Sequence, residues 1–165
     1  MNSLELYENL DFFMEKAKEN IESDGHLQSV LLMNMKENGV IVVPVQLPNK
    51  ESKINLVNNL ITLISEDKLY EYLFIAEAWM AKNDLDDVQR HLSEHGTLEN
   101  YDSRMECVVF QYGNPSIEVM SIAEIIRNGD SLNLNAWEKN ETKEGVLPRN
   151  TLFGNLFSKA KSKWN

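Results

Sequence analysis

Two apolar runs joined by Asn38-Gly39 constrain the fold of this chain more than any other part of its sequence. Residues 28–36 and 40–46 have the composition of strands, and Asn-Gly supplies the two positive φ angles of a type I′ turn. The pattern predicts a β-hairpin. Pro44 has no N–H to donate to a neighbouring strand, so the second strand is predicted to lie at a sheet edge or to bulge there.

An amphipathic helix is predicted on each side of this hairpin. Residues 3–22 repeat apolar side chains at spacings of three and four, with Ser3 as a candidate N-cap and Gly25 as the terminator. Residues 51–66 carry a wider apolar stripe, which predicts a more deeply buried helix. The residues predicted to be largely buried in the core are Ile54, Val57, Ile61, Leu73, Ile75, Val109 and Ile122.

The second half of the chain is rich in residues that favour strands. The predicted strands are 70–81, 104–112, 117–126 and about 131–137. Turn-forming residues separate the last three, at Gly113–Ser116 and at Asn128-Gly129. Residues 82–103 form a long polar connection, and its middle, 85–92, is compatible with a short helix.

The order of these elements, α-β-β-α-β-β-β, predicts an α+β fold. Strands joined by short turns pair antiparallel, so we expect one antiparallel sheet of about five or six strands with both helices packed on one face. Roadblock and profilin-like domains share this order of elements, a similarity of topology that carries no function. Residues 1–147 are predicted to form one domain, followed by a basic, aromatic tail at 148–165.

Charge and composition exclude several classes of function. The formal net charge is −10, which is unfavourable for direct binding to nucleic acid. No stretch of 18 apolar residues is present, so no stable membrane association is expected. Cys107 is the single cysteine and lies in an apolar run, which indicates a small buried hydrophobe. A cytoplasmic location is the expectation that follows.

The segment His91-Leu-Ser-Glu94-His95 matches the H-x-x-E-H pattern of zinc peptidases. On a helix, His91 and His95 would share a face and could bind zinc, with Glu94 activating a water molecule. Gly96, however, ends any such helix, and the chain is shorter than the domains that supply a downstream acidic ligand. We therefore expect two exposed imidazoles and no cofactor, with a metal site as the alternative.

Glu77 and Trp79 are candidate binding residues because a carboxylate in the middle of a predicted strand is unusual. Burying it without a partner would be costly, so it either serves a ligand in a cleft or is satisfied structurally. The preferred interpretation is that Glu77 faces solvent or pairs with Arg104 or Arg127.

Four short motifs resemble a group of uncharacterised small bacterial α+β proteins. The motifs are Phe74–Trp79, Arg104-Met-Glu, Ile126–Gly129 and Trp137-Glu138. Members of that group place Glu-Ala-Trp at a strand end and a late hairpin before a Trp-Glu pair, and the resemblance covers roughly residues 25–140. It implies a fold of this kind and no particular function.

The tail combines apolar and basic residues and is predicted to be an interaction element. Its candidate binding residues are Phe153, Phe157, Lys159, Lys161 and Lys163, with Leu152 and Leu156 beside the two aromatic rings. In a helix the four apolar residues form one patch, which could dock on the acidic body, on a second copy or on another partner.

The prediction for function is a non-enzymatic protein-binding or regulatory domain that pairs with a protein partner or forms a homodimer. One alternative is a metal-dependent hydrolase that uses His91, Glu94 and His95. A second alternative is an acidic inhibitor of a nucleic-acid-binding protein from a phage or mobile element.

Overall fold

A single curled antiparallel sheet organises the computed structural model, which describes residues 5–81, 85–95, 104–144 and 154–162. The strands are β1 (Val30–Met35), β2 (Gly39–Pro44), β3 (Leu69–Ala81), β4 (Arg104–Gly113), β5 (Ile117–Asn128), β6 (Ser131–Leu134) and β7 (Glu138–Lys143). The helices of the described ranges are α1 (Glu5–Glu8), α2 (Leu10–Asp24), α3 (Lys50–Ser65), α4 (Leu85–His95) and α5 (Leu156–Ser162). The predicted α+β class and antiparallel sheet are confirmed.

The strands run in the order β2-β1-β3-β4-β5-β6, and β7 pairs with β5. One edge of β5 pairs with β4, whereas β7 and β6 share its other edge in succession. The predicted strand at 131–137 ends at Leu134, and a further strand, β7, follows it. Its sequence, Glu-Lys-Asn-Glu-Thr-Lys, is polar throughout, so it lacks the composition on which strands were predicted.

The β1–β2 hairpin is confirmed, but its turn differs from the predicted type I′ turn. Three residues, Lys36–Asn38, separate the paired Met35 and Gly39, and the positive φ of 72° belongs to Gly39 rather than to Asn38. In the described sheet β2 has β1 as its only neighbour. The predicted edge at Pro44 is therefore confirmed.

Two hydrophobic cores lie on opposite faces of the sheet. In β3, Leu73 and Ile75 point into the first core with α1 and α2, whereas Tyr72 and Phe74 point into the second. The second core includes Leu60 and Ile61 of α3 and Leu156, Phe157 and Ala160 of α5. The prediction of both helices on one face is thus wrong, because β3 is apolar on both sides and needs a layer on each.

The predicted helices are present, but their boundaries differ from the predicted ones. The helix expected at 3–22 is divided at Asn9 into α1 and α2, and Gly25, with φ 78°, caps α2 by donating its N–H to Ile21 O at 2.9 Å. Asn49 and Ser52 form a capping box that begins α3. The connection between β3 and β4 contains α4, longer than the helix considered at 85–92.

Burial agrees only in part with the predicted core. Ile61, Leu73 and Ile75 are buried. Val57, Val109 and Ile122 are half-buried. Ile54 is 48% exposed, so its prediction is wrong. It lies near the beginning of α3, whereas the buried residues of that helix, Leu60 and Ile61, lie in its second half.

Candidate interaction surface

The free edge of β2 presents unpaired backbone groups. Val45 donates its N–H to Ser29 O at 2.9 Å, so its backbone faces β1. In an antiparallel pair the direction of N–H and C=O alternates along the strand. The backbone groups of Val43 and Ile41 therefore face β1 as well, and those of Val40 and Val42 point away from the sheet.

Pro44 limits this edge to two residues. The backbone of Pro44 also points away from β1. Its missing N–H therefore removes no hydrogen bond between β1 and β2. The side chains of Val40 and Val42 are exposed, and that of Val42 is 58% exposed. Val42 opposes Leu32 of the first core, so both valines lie on the face that α2 covers elsewhere.

A groove continues from this edge across the same face. It has a volume of about 450 Å³ between α2 and strands β1 and β2, and its walls include Phe13, Leu32 and Val42. Phe12, at the neighbouring position of α2, is 55% exposed. The groove also has polar walls, which include Lys16, Asn20 and Asp24. The β2 edge and the groove meet at Val42 and together form what we call the β2 surface.

The histidine motif lies on the surface of α4. The rings of His91 and His95 are in contact, with centroids 4.4 Å apart, and His95 Nε2 is 3.8 Å from Glu94 Oε2. Glu94 and His95 are exposed, but His91 is half-buried, so the prediction of two exposed imidazoles holds for His95 alone. Across the described ranges, no three His, Cys, Asp or Glu side chains are grouped so that they could hold a metal ion. The metal site therefore stays a prediction.

Glu77 is exposed and has a local structural partner. Its Oε1 accepts the backbone N–H of Leu27 at 2.5 Å, which fixes the connection between α2 and β1. Arg127 instead pairs with Glu106 at 2.6 Å and also donates to Gly25 O at 3.3 Å. Trp79 is half-buried and lies opposite Glu106 on β4. Glu77 thus holds a connection in place, and the binding role of both residues stays a prediction.

The tail packs on the chain's own body. Leu156 and Phe157 are buried in the second core, and the Phe157 ring stacks on Tyr72 with centroids 6.2 Å apart. Lys161 is exposed and Lys159 is half-buried. Phe153 and Lys163 lie outside the described residues. The part of the tail that the structure describes therefore occupies one of the three docking places that its composition predicted.

Glu71 is a buried polar centre that sequence reasoning missed. Its Oε2 accepts the N–H of Leu6 at 2.8 Å and Asn34 Nδ2 at 2.7 Å, and its Oε1 accepts the N–H of Tyr7 at 3.1 Å and Tyr112 Oη at 2.6 Å. Burial raises the pKa of Tyr112, and its bond to Glu71 raises it further. Four donors thus join β1, β3, β4 and α1 around one carboxylate.

A second buried glutamate, Glu118, holds the beginning of α5. Its Oε1 accepts the N–H of Asn155, and Glu144 accepts the N–H of Ser158 at 2.7 Å and its hydroxyl at 3.0 Å. Burial raises the pKa of Glu118 to about 7; the Asn155 N–H opposes this rise, Glu144 adds to it and Lys159 opposes it.

A cleft opens beside α5 at the end of the sheet. Its volume is about 540 Å³, and its apolar walls include Leu69, Ile117, Phe157 and Ala160. At its rim Tyr7 Oη donates to Glu141 at 2.8 Å. Two further rim residues, Lys36 and Asp67, form an ion pair. Because Phe157 and Ala160 belong to α5, the shape of this cleft depends on the docking of that helix.

Cys107 is buried, in line with the small hydrophobe that its sequence context indicated. Its Sγ donates to Ala78 O at 3.4 Å. Burial raises the pKa of its thiol to about 11, and Glu124 adds to the rise. A thiol with this pKa is a poor nucleophile at neutral pH.

No helix among the described residues has the length and apolar character needed to cross a membrane. Comparison of the chain with protein-family models, with curated sequences and with solved structures finds no match. The likeness to roadblock and profilin-like topology and the resemblance to the small bacterial proteins therefore stay predictions.

Proposed function

We propose that this chain is a non-enzymatic protein-binding domain that forms a homodimer through the β2 surface. The observation that carries the proposal is the β2 edge, where Val40 and Val42 expose both their backbone groups and their side chains. Unpaired edges of this kind are templates for a further strand. A second copy offers the same strand, as a two-fold symmetric interface requires.

The position of Pro44 selects one register for this pairing. With the two-fold axis at Ile41, Val40 of each chain opposes the partner's Val42, and each such pair exchanges two hydrogen bonds. All outward groups of the two valines are then used. An axis at Val42 would oppose Val40 to the partner's Pro44 and lose a bond, and an axis at Val40 would oppose Val42 to the partner's Asn38 in the turn.

Local charge is compatible with self-pairing despite the net charge of −10. Residues 39–44 contain no charged side chain, so the paired strands bring no like charges opposite each other. The exposed valines of both chains come together on the first-core face, where Val42 also lines the groove. Pairing therefore extends the sheet and buries apolar surface in the same step.

A disulfide at the symmetry axis tests the register. Ile41 would oppose the partner's Ile41 as a pair without hydrogen bonds, with Cα atoms about 4.5 Å apart, within the range that a disulfide spans. We expect Ile41→Cys to form a covalent dimer on mild oxidation, seen on a non-reducing gel. The matched control is Val43→Cys, which would oppose Gly39 of the partner subunit and should stay monomeric.

Cys107 is buried and does not compete in this experiment. Equal cross-linking of the two variants, or none in either, would contradict the proposed pairing. A wild-type chain that is monomeric in light scattering at the concentrations used would contradict it as well.

One observation favours a second candidate, the acidic inhibitor of a nucleic-acid-binding protein. Asp11, Glu15, Glu19 and Glu22 are exposed at spacings of three and four along α2, which aligns them on one side of the helix. Such a row suits a basic partner surface. Charge reversal at Glu15 and Glu19 should then abolish binding to that partner and leave the β2 dimer intact, which separates the two functions.

A further inference from the structure

The two buried glutamates of the sheet differ in how fully their oxygens are paired. Glu71 receives four donors, two on each oxygen. Glu118 is equally buried, but its Oε1 accepts the N–H of Asn155, and its Oε2 has no hydrogen-bond partner among the described residues. This arrangement suits a neutral carboxyl group, since an ionised oxygen buried without a partner is strongly unfavourable.

From this geometry we propose that α5 is a proton-controlled cover of the second core, docked while Glu118 carries a proton and released when Glu118 ionises. In the docked helix Leu156, Phe157 and Ala160 lie in that core. Glu118 accepts the N–H of Asn155, which directly precedes α5, and Glu144 accepts the N–H of Ser158 in its first turn. Release would open the cleft at the end of the sheet, because Phe157 and Ala160 form part of its wall.

The groups around Glu118 leave the carboxylate poorly stabilised. From β3, Tyr72 lies across Gly113, the residue directly opposite Glu118 on β4. On the other side Glu118 pairs with the uncharged Thr142 of β7, and Glu144 follows that strand. Glu144 opposes ionisation of Glu118, and Lys159 of α5 favours it. The rise in the pKa of Glu118 that burial causes is larger than the fall that Lys159 causes.

The direction of the pH effect follows from linkage. In the docked state the pKa of Glu118 is raised from its ordinary value of 4.5 to about 7. The docked state therefore binds this proton more tightly than the released state does. Docking is therefore strongest below the ordinary value and weakens as the pH rises through about 7. Tyr72 does not titrate in this range, because burial raises its pKa well above the ordinary value.

Hydrogen exchange of the α5 amides tests the proposal in the full-length chain. The measured quantity is the protection factor of Lys159, Ala160 and Lys161 between pH 5 and pH 8, corrected for the intrinsic exchange rate and compared with Val108 in β4. We expect the wild-type α5 protection to fall about tenfold or more over this range and to lie below that of Val108 at every pH, because α5 opens without unfolding of the sheet. In Glu118→Gln the side chain cannot ionise, so α5 protection should not change with pH.

Glu144→Gln is the matched control. It weakens the bonds to Ser158 but leaves Glu118 in place, so α5 protection should be lower at every pH and should still fall as the pH rises. A wild-type protection that does not change with pH would overturn the proposal, and so would a Glu118→Gln variant that follows the wild type. If that variant does not fold, the ¹³C shift of the Glu118 carboxyl group decides: a midpoint near 7 supports the proposal, and one near 4.5 overturns it.

Discussion

At the scale of single residues, Glu71 connects more parts of the molecule than any other polar side chain described above. Its four donors come from α1, β1 and β4, and the N–H of Leu6 lies 65 positions away in the chain. Because all four donors are N–H or O–H groups, only acceptors are suitable at this position.

We therefore expect Glu71→Gln to destabilise the fold. The amide would turn one acceptor oxygen into a donor facing two other donors, and each buried donor left unpaired costs about 1–3 kcal/mol. Urea denaturation measures the loss. The matched control is Glu77→Gln in the same strand, which is exposed and should change the free energy of unfolding by less than about 1 kcal/mol. Equal effects of the two substitutions would contradict this role of Glu71.

Gly113 is required by a close contact rather than by its backbone angles. A Cβ at this position would lie 2.7 Å from Cε1, Cζ and Oη of Tyr72. We expect Gly113→Ala to cost about 1–3 kcal/mol in thermal or urea unfolding, because the buried ring has to move. In a Tyr72→Leu background the same substitution should cost much less, and an unchanged cost would show that the ring is not the cause.

The sequence indicated a polar residue in β3 but led to the wrong one. Glu77 attracted the prediction because it lies in the middle of an apolar run, and it proved to be exposed. Glu71 lies nearer the beginning of the strand. Its hydrogen-bond partners are distant in sequence, so no local sequence pattern predicts them. Glu118 has the same difficulty, since its partner Asn155 is 37 positions away.

At the scale of elements, the proposed dimer depends on the outward N–H of Val42. We expect Val42→Pro to remove this donor without affecting the bonds between β1 and β2, as Pro44 already does at the next outward position. The mass in light scattering should fall from dimer to monomer at the same concentration. Val42→Thr is the control, because it keeps the N–H and the branched shape, and it should remain dimeric. A dimeric Val42→Pro variant would contradict pairing through β2.

The composition of β3 contained the signal for a layer on each face. Residues 72–76 are apolar without alternation, a pattern typical of strands buried on both sides. The apolar stripe of a helix does not indicate which face of a sheet the helix covers, so the placement of the two helices could not be predicted from their stripes. The strand β7 could not be found in this way, since it is held by pairing with β5 and is almost wholly exposed.

At the scale of the whole molecule, the second core is completed by α5, which is separated in sequence from the rest of that core. At pH 5, where α5 is docked, we expect truncation after Leu147 to lower the melting temperature by about 10 °C or more, because it removes Leu156 and Phe157 from the core. The control is full-length Lys161→Ala, an exposed position that should melt like the wild type. An unchanged melting temperature on truncation would contradict a structural role for α5.

The buried bonds to Glu71 also order the events of folding. The site that receives α1 exists only after β1, β3 and β4 have paired, since Asn34, Glu71 and Tyr112 come from these three strands. On a ribosome the segment around Leu6 is made before its acceptor, which follows 65 residues later, and Tyr112 is made later still. That segment therefore cannot reach its final place before Tyr112 has been synthesised.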